Sequence, residues 1–308
     1  MRIAVIGAGG VGGYFGGRLA RGGHDVQFLA RGKHLAAMQS TGLEIDSPNG
    51  SFRLEQPDVV GEAAKLRPAD VVLVTVKLWD LAETAREIAP VVGPETVVIP
   101  FQNGVESVEL MSHHLPRERI AGGVAYIAAT IASPGLIRTT GTMAKLRFGA
   151  LQEPQRPVID AFADVCKESG IDTDVSQDIR RALWEKFVFL NALSGVTSVS
   201  RQPVGVIRSD PDLRATMEAS MIETMRLAHA WGVALPEGFV AAQMQFLDTL
   251  PATMHSSMQN DLAAGNRLEA PWLCGAVARM YAARGASAPV NRTIYAALKP
   301  YVNGGESQ

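Results

Sequence analysis

One lysine stands in the apolar stripe of a helical segment. In Ile179–Leu193, Lys186 shares a face with Ile179, Ala182, Leu183, Leu190 and Leu193, at offsets of −7, −4, −3, +4 and +7, the spacing of a single helix face. An ammonium there must be paired, must extend its chain to solvent, or must lose some of its affinity for a proton. The last outcome moves its pKa toward the range in which general acid catalysis works at neutral pH. Ser194 and Thr197, at +8 and +11, continue the same face with hydroxyls. The stripe thus turns polar, as a helix does where it enters a cleft.

Two further polar residues follow apolar runs. Lys77 comes after Val71–Val76, and Asn103, in Gln102-Asn103-Gly104, comes after Thr96–Phe101. Ligands of open α/β sheets bind beyond the carboxyl ends of the strands, so both residues stand where a ligand would be met. The plainer readings are a solvated strand-end lysine and an Asn-Gly turn. Glu269, just ahead of Ala270-Pro271, reads most simply as a negative charge at a helix N-terminus. The six histidines show no ligand spacing, and His113 and His114, being adjacent, would point about 100° apart on a helix. No metal is expected.

Gly7-Ala8-Gly9-Gly10-Val11-Gly12 follows the apolar run Arg2–Ile6 and opens a helical segment. This is G-x-G-x-x-G in a strand–turn–helix setting. Gly7 and Gly9 permit the turn and a close approach of the backbone to a pyrophosphate. Gly12 lets helix and strand pack closely, and the N–H groups of Gly10, Val11 and Gly12 stand at the helix start. The second strand, Asp25–Leu29, runs into Ala30-Arg31-Gly32-Lys33. The acid that would hold a ribose 2′-hydroxyl is missing, and Arg31 and Lys33 suit a 2′-phosphate. NADP(H) is the cofactor expected.

These residues need a scaffold. Across the first half, strands (2–6, 25–29, 71–76, 96–101) alternate with helical stretches (81–89 and from 105), which predicts a parallel, doubly wound sheet. A hairpin over 41–60 turns at Ser47-Pro48-Asn49-Gly50, and strand-like stretches follow at 120–131, 135–140 and 145–148. A helix at 157–169 ends at Gly170. From 178 onward the periodicity is helical throughout: 178–194, 210–232, 236–247, 251–264, 271–284 and 289–302. The polar tail from Asn303 to Gln308 is expected to fray. We therefore expect an α/β Rossmann-type nucleotide-binding domain over 1–175, an all-α substrate and catalytic domain over 176–308, and a cleft between them.

Composition limits the partners. The 308 residues are 47% hydrophobic and 19% charged, with a net charge of −2; this balance favours neither nucleic acid nor an anionic membrane. Cys166 and Cys274 lie far apart and read as core thiols. A strand starting at residue 2 leaves no room for a secretion signal, and no apolar run reaches about 20 residues. The expectation is a cytoplasmic protein, with a homodimer the one assembly left open.

The ordered set resembles the ketopantoate reductases (2-dehydropantoate 2-reductases). It comprises the glycine motif, Arg31, Lys77, Asn103-Gly104, Leu183-Trp184-x-Lys186, and Ser257 followed twelve residues later by Glu269. The resemblance implies NADPH-dependent reduction of a 2-oxo acid, 2-dehydropantoate to pantoate, on the way to pantothenate and coenzyme A. It implies that Lys186 is the general acid and that Glu269 binds the substrate hydroxyl and helps hold the lysine. Asn103 and Ser257 would bind substrate, with Asn103 also positioning the nicotinamide, and Lys77 would line the cofactor site. Ser194, Leu190 and Cys274 stand where the family's best-known members carry asparagines, Ser194 in a substrate-contacting position; Asn191 is one residue out of register. Two alternatives remain: reduction of another 2-oxo acid, and a sensor that binds NADP(H) without turnover.

Overall fold

The computed structural model describes residues 1–305. Its chain forms two compact units, one of Met1–Gln102 with Glu106–Ala182, the other of Asn103–Val105 with the chain from Leu183 onward.

In the first unit the buried apolar runs become a five-stranded parallel sheet. In chain order the elements are β1 (Arg2–Ile6), α1 (Gly10–Arg21), β2 (Asp25–Leu29), α2 (Gly32–Thr41), β3 (Leu43–Asp46), β4 (Phe52–Leu54), β5 (Asp58–Val60), β6 (Val71–Val74), α3 (Leu81–Ile88), β7 (Val97–Pro100) and α4 (Ser107–Ser112). The sheet order is β5-β2-β1-β6-β7, with every pairing parallel. β1 is central, and Ile3 through Ile6 are no more than 2% exposed, which is why this run and Val71–Val74 lack polar alternation.

A second sheet completes the unit. It contains β8 (Gly122–Ser133), β9 (Leu136–Gly149) and β10 (Asp172–Val175), with α5 (Arg156–Glu168) between the last two. Its order is β10-β9-β3-β4, with β8 paired to β9. The expected hairpin over 41–60 exists as β3 and β4, paired antiparallel from Leu43↔Leu54 to Ile45↔Phe52. It belongs to this second sheet, however, because β3 also pairs parallel with β9. Only β5, the end of that segment, joins the first sheet. The two short strands expected at 135–140 and 145–148 are one strand, β9. Its register against β8 jumps between Ala129↔Thr139 and Ile127↔Ala144, so Thr140–Met143 bulge out opposite one residue.

The second unit is helical: α6 (Ile179–Ser200, from Leu183 onward), α7 (Val204–Ser209), α8 (Pro211–Ala230), α9 (Phe239–Thr249), α10 (Ser257–Ala263), α11 (Cys274–Ala282) and α12 (Pro289–Leu298). Helix α6 runs beyond 194 because its hydroxyls are satisfied inside the helix. Thr197 donates to the Leu193 carbonyl at 2.6 Å and Ser200 to that of Val196 at 2.7 Å, bonds that let polar residues stay helical. The helix expected from 251 starts only at Ser257. The carbonyls of Ala252 and Met254 instead accept from Gly205 and Val204 at 2.8 and 2.9 Å, supplying acceptors to the start of α7. Within the polar tail, Gly304 N–H donates to the Tyr301 carbonyl and Gly305 N–H to that of Gly265, so 304 and 305 are tied to the fold; 306–308 lie outside the described residues.

Candidate active site

Asn103, Lys186 and Glu269 lie far apart in sequence and meet in the helical unit. Asn103-Gly104 is a turn, as its residue types allow. Gly104 has φ +95°, and a Cβ on it would stand 3.2 Å from the Trp272 carbonyl, so the turn is seated against the segment that carries Glu269. The Lys186 ammonium donates to Asn103 Oδ1 at 3.0 Å, and Asn103 Nδ2 donates to Glu269 Oε2 at 3.3 Å. An ammonium can only donate and a carboxylate can only accept, so the asparagine amide has one orientation that serves both. Glu269 is 6% exposed. Burial pushes the Lys186 pKa from 10.5 down to about 8, and the Glu269 carboxylate opposes part of that fall. The result is an acid that stays protonated at neutral pH and gives up its proton far more readily than an ordinary lysine.

The other expected site residues of this unit have different surroundings. Ser257 is exposed as the first residue of α10, and its hydroxyl has no hydrogen bond among the described residues. The neighbouring Ser256 is the cap of that helix, accepting from Gln259 N–H at 3.1 Å. Ser194 is two turns beyond Lys186 and only 1% exposed. Asn191 does not take over for a missing amide: it is fully buried, donating to Thr224 and to Asn291 at 3.0 and 2.7 Å within the helical core. The Cys274 thiol is buried, donates to the Ala270 carbonyl at 3.6 Å, and burial raises its pKa to about 12. The same cause raises Cys166 to about 12, so both are inert core thiols. Among the described residues no group of three or more His, Cys, Asp or Glu could hold a metal ion.

In the first unit, the glycine-rich turn joins β1 to α1. Gly7 has φ +95°, a conformation that favours glycine. A Cβ at Gly12 would run into the Gly7 carbonyl and the Thr75 hydroxyl, whereas a Cβ at Gly9 would meet nothing within 4 Å. Gly12 is thus required by packing, and Gly9 leaves space open at the helix start. Among the described residues no side chain caps that helix and no acid stands in its first turn, the features of a helix start that suits an anion. A dinucleotide diphosphate fits this cradle.

Arg31 is the exposed residue preceding α2, and its guanidinium lies 3.5 Å from Glu87 Oε2. Lys77 is exposed just past β6, with its ammonium 5.5 Å from the centre of the Trp79 ring. Gln102 has a role that sequence reading missed. Its Nε2 donates to the Val74 and Val76 carbonyls, each at 3.0 Å, fixing the backbone that leads into Lys77. Its type and position alone carried no such signal.

A turn shaped for a dinucleotide and an acid tuned toward neutral pH are the needs of a pyridine-nucleotide-dependent oxidoreductase, and the chain is of that class. Its family is settled by two matches: residues 3–153 to the model described as Ketopantoate reductase PanE/ApbA, and residues 178–302 to Ketopantoate reductase PanE/ApbA C terminal. The chain belongs to the ketopantoate reductase family. A 2-dehydropantoate 2-reductase from Halobacterium salinarum is 30% identical over 96% of this chain and 96% of its own. The crystal structure of a PanE/ApbA family ketopantoate reductase from Ralstonia eutropha is 30% identical, with a TM-score of 0.89 over 98% of each chain. D-mandelate dehydrogenase, solved with NADH and anilino(oxo)acetate, shares the fold at 19% identity, with a TM-score of 0.89 over 98% of each chain. No helix among the described residues is long and apolar enough to cross a membrane.

Proposed function

We propose that this chain reduces 2-dehydropantoate to pantoate with NADPH, the step that leads toward pantothenate and coenzyme A. The observation that carries the reading is the Lys186–Asn103–Glu269 chain, with its lysine pKa lowered to about 8. When bound, the reduced nicotinamide supplies a hydride to the substrate carbonyl carbon. Lys186 donates a proton to the carbonyl oxygen, so that negative charge does not build up there. Asn103 holds the ammonium and the carboxylate in fixed relation, and Glu269 accepts from the substrate hydroxyl. Ser257, exposed and with its hydroxyl uncommitted, and Ser194 add substrate contacts. The glycine turn and Lys77 hold the cofactor, and Arg31 takes its 2′-phosphate.

The second reading keeps the reaction and changes the 2-oxo acid. Leu190 and the buried Cys274 offer no amide to a polar substrate. A sensor without turnover would need neither the lysine nor the glutamate, and both are engaged. The test is Lys186→Ala. NADPH affinity should stay near wild type while kcat falls by about 10²–10⁴, the usual range for a general acid. Arginine should not rescue it, since a guanidinium does not readily release a proton. A variant that binds NADPH and keeps most of its turnover removes Lys186 from the reaction.

A further inference from the structure

Beyond the carboxyl end of β2, in the nucleotide-binding unit, lies a cavity of about 400 Å³ bounded by Leu29, Arg31 and Gly61. It is the place at which a parallel sheet receives the far end of a dinucleotide. Three carboxylates, those of Glu62, Glu83 and Glu87, line it alongside the single cation Arg31. Two of them are answered by cations from their own helical turn: Glu62 by Lys65 at 2.7 Å and Glu83 by Arg86 at 3.7 Å. Glu87 is different. Among the described residues its one ionic partner is Arg31, at 3.5 Å, and Glu87 is likewise the one ionic partner of Arg31.

From this we infer that Glu87 sets the cofactor preference by competing with the 2′-phosphate for Arg31, an inference that rests on Arg31 being the phosphate's contact. The pair is long, and its side chains are 54% and 39% exposed, so it is weak and yields to a better partner. A phosphate monoester, with more charge and three acceptor oxygens, is that partner. The phosphate can engage Arg31 only by drawing it from Glu87, so the attraction of that pair is subtracted from NADPH binding. A dinucleotide ending in a plain 2′-hydroxyl carries no charge to draw Arg31 away, so the pair stays intact when it binds. Glu87 therefore handicaps NADPH and leaves NADH untouched, so the chain's preference for NADPH is narrower than Arg31 and Lys33 alone would make it.

The experiment is cofactor titration of the full chain, with NADPH and NADH, for wild type, Glu87→Gln, Arg31→Ala and the double variant. Glutamine keeps the size of Glu87 and removes its charge. Glu87→Gln should tighten NADPH binding about two- to five-fold, the scale of one exposed charge pair, and leave NADH binding essentially unchanged. In the Arg31→Ala background the gain should largely vanish. The inference fails if NADPH does not tighten, if NADH tightens equally, or if the gain survives undiminished without Arg31. Loss of both cofactors alike in Arg31→Ala is a separate failure: it removes the phosphate from Arg31 and so overturns the reading on which the competition rests.

Discussion

At the scale of residues, the proton on Lys186 is governed by two opposed effects. Burial favours the neutral amine and the Glu269 carboxylate favours the ammonium, leaving the pKa at about 8. The sign of the pH dependence follows. Below about 8 the acid is charged and able to donate; above it the charged fraction falls about tenfold per pH unit. kcat/KM for reduction should therefore be flat up to about pH 8 and decline beyond, and the reverse oxidation should rise over the same interval. Glu269→Gln removes the group that raises the pKa, so the break should move to lower pH. A pH–rate profile with its break unmoved in that variant would show that Glu269 does not act on the lysine.

At the scale of elements, the β1–α1 turn separates what folding needs from what a ligand needs. Gly9 has φ −72° and open space around it, so Gly9→Ala should fold and melt like wild type while binding either dinucleotide more weakly. A Cβ at Gly12 collides with backbone and side chain, so Gly12→Ala should lower stability by about 1–3 kcal/mol even without cofactor. Thermal melts alongside cofactor titrations decide; a Gly9→Ala protein with unaltered affinity would mean that no phosphate approaches there. Much of this architecture was legible beforehand. The buried runs of β1 and β6 lack alternation, and the lysine in the α6 stripe stood out for its type and place. The second sheet was not legible, because β9 is interrupted by the bulge at Thr140–Met143 and β3 pairs with a strand some 90 residues on. The Asn103–Glu269 contact spans 166 residues, and no local pattern encodes it. The late start of α10 depended on carbonyls being used by α7, which only the packed chain reveals.

At the scale of the whole molecule, the chain divides its tasks between two units with separate cores. One presents a glycine turn and a helix start without a side-chain cap, and the other holds a lysine whose pKa is lowered to about 8. The family fixes the class of the protein as an oxidoreductase. In the proposed reading Leu190, Ser194 and Cys274 stand in place of amides, so a polar substrate would find fewer hydrogen-bond partners, and discrimination that rests on such partners would weaken. The most direct test is therefore the rate of NADPH oxidation by the wild-type protein with 2-dehydropantoate, set beside plain branched 2-oxo acids. We expect 2-dehydropantoate to be reduced fastest, with a modest lead over the branched 2-oxo acids. A protein that oxidises NADPH with another 2-oxo acid and not with 2-dehydropantoate, or with no 2-oxo acid at all, contradicts the account.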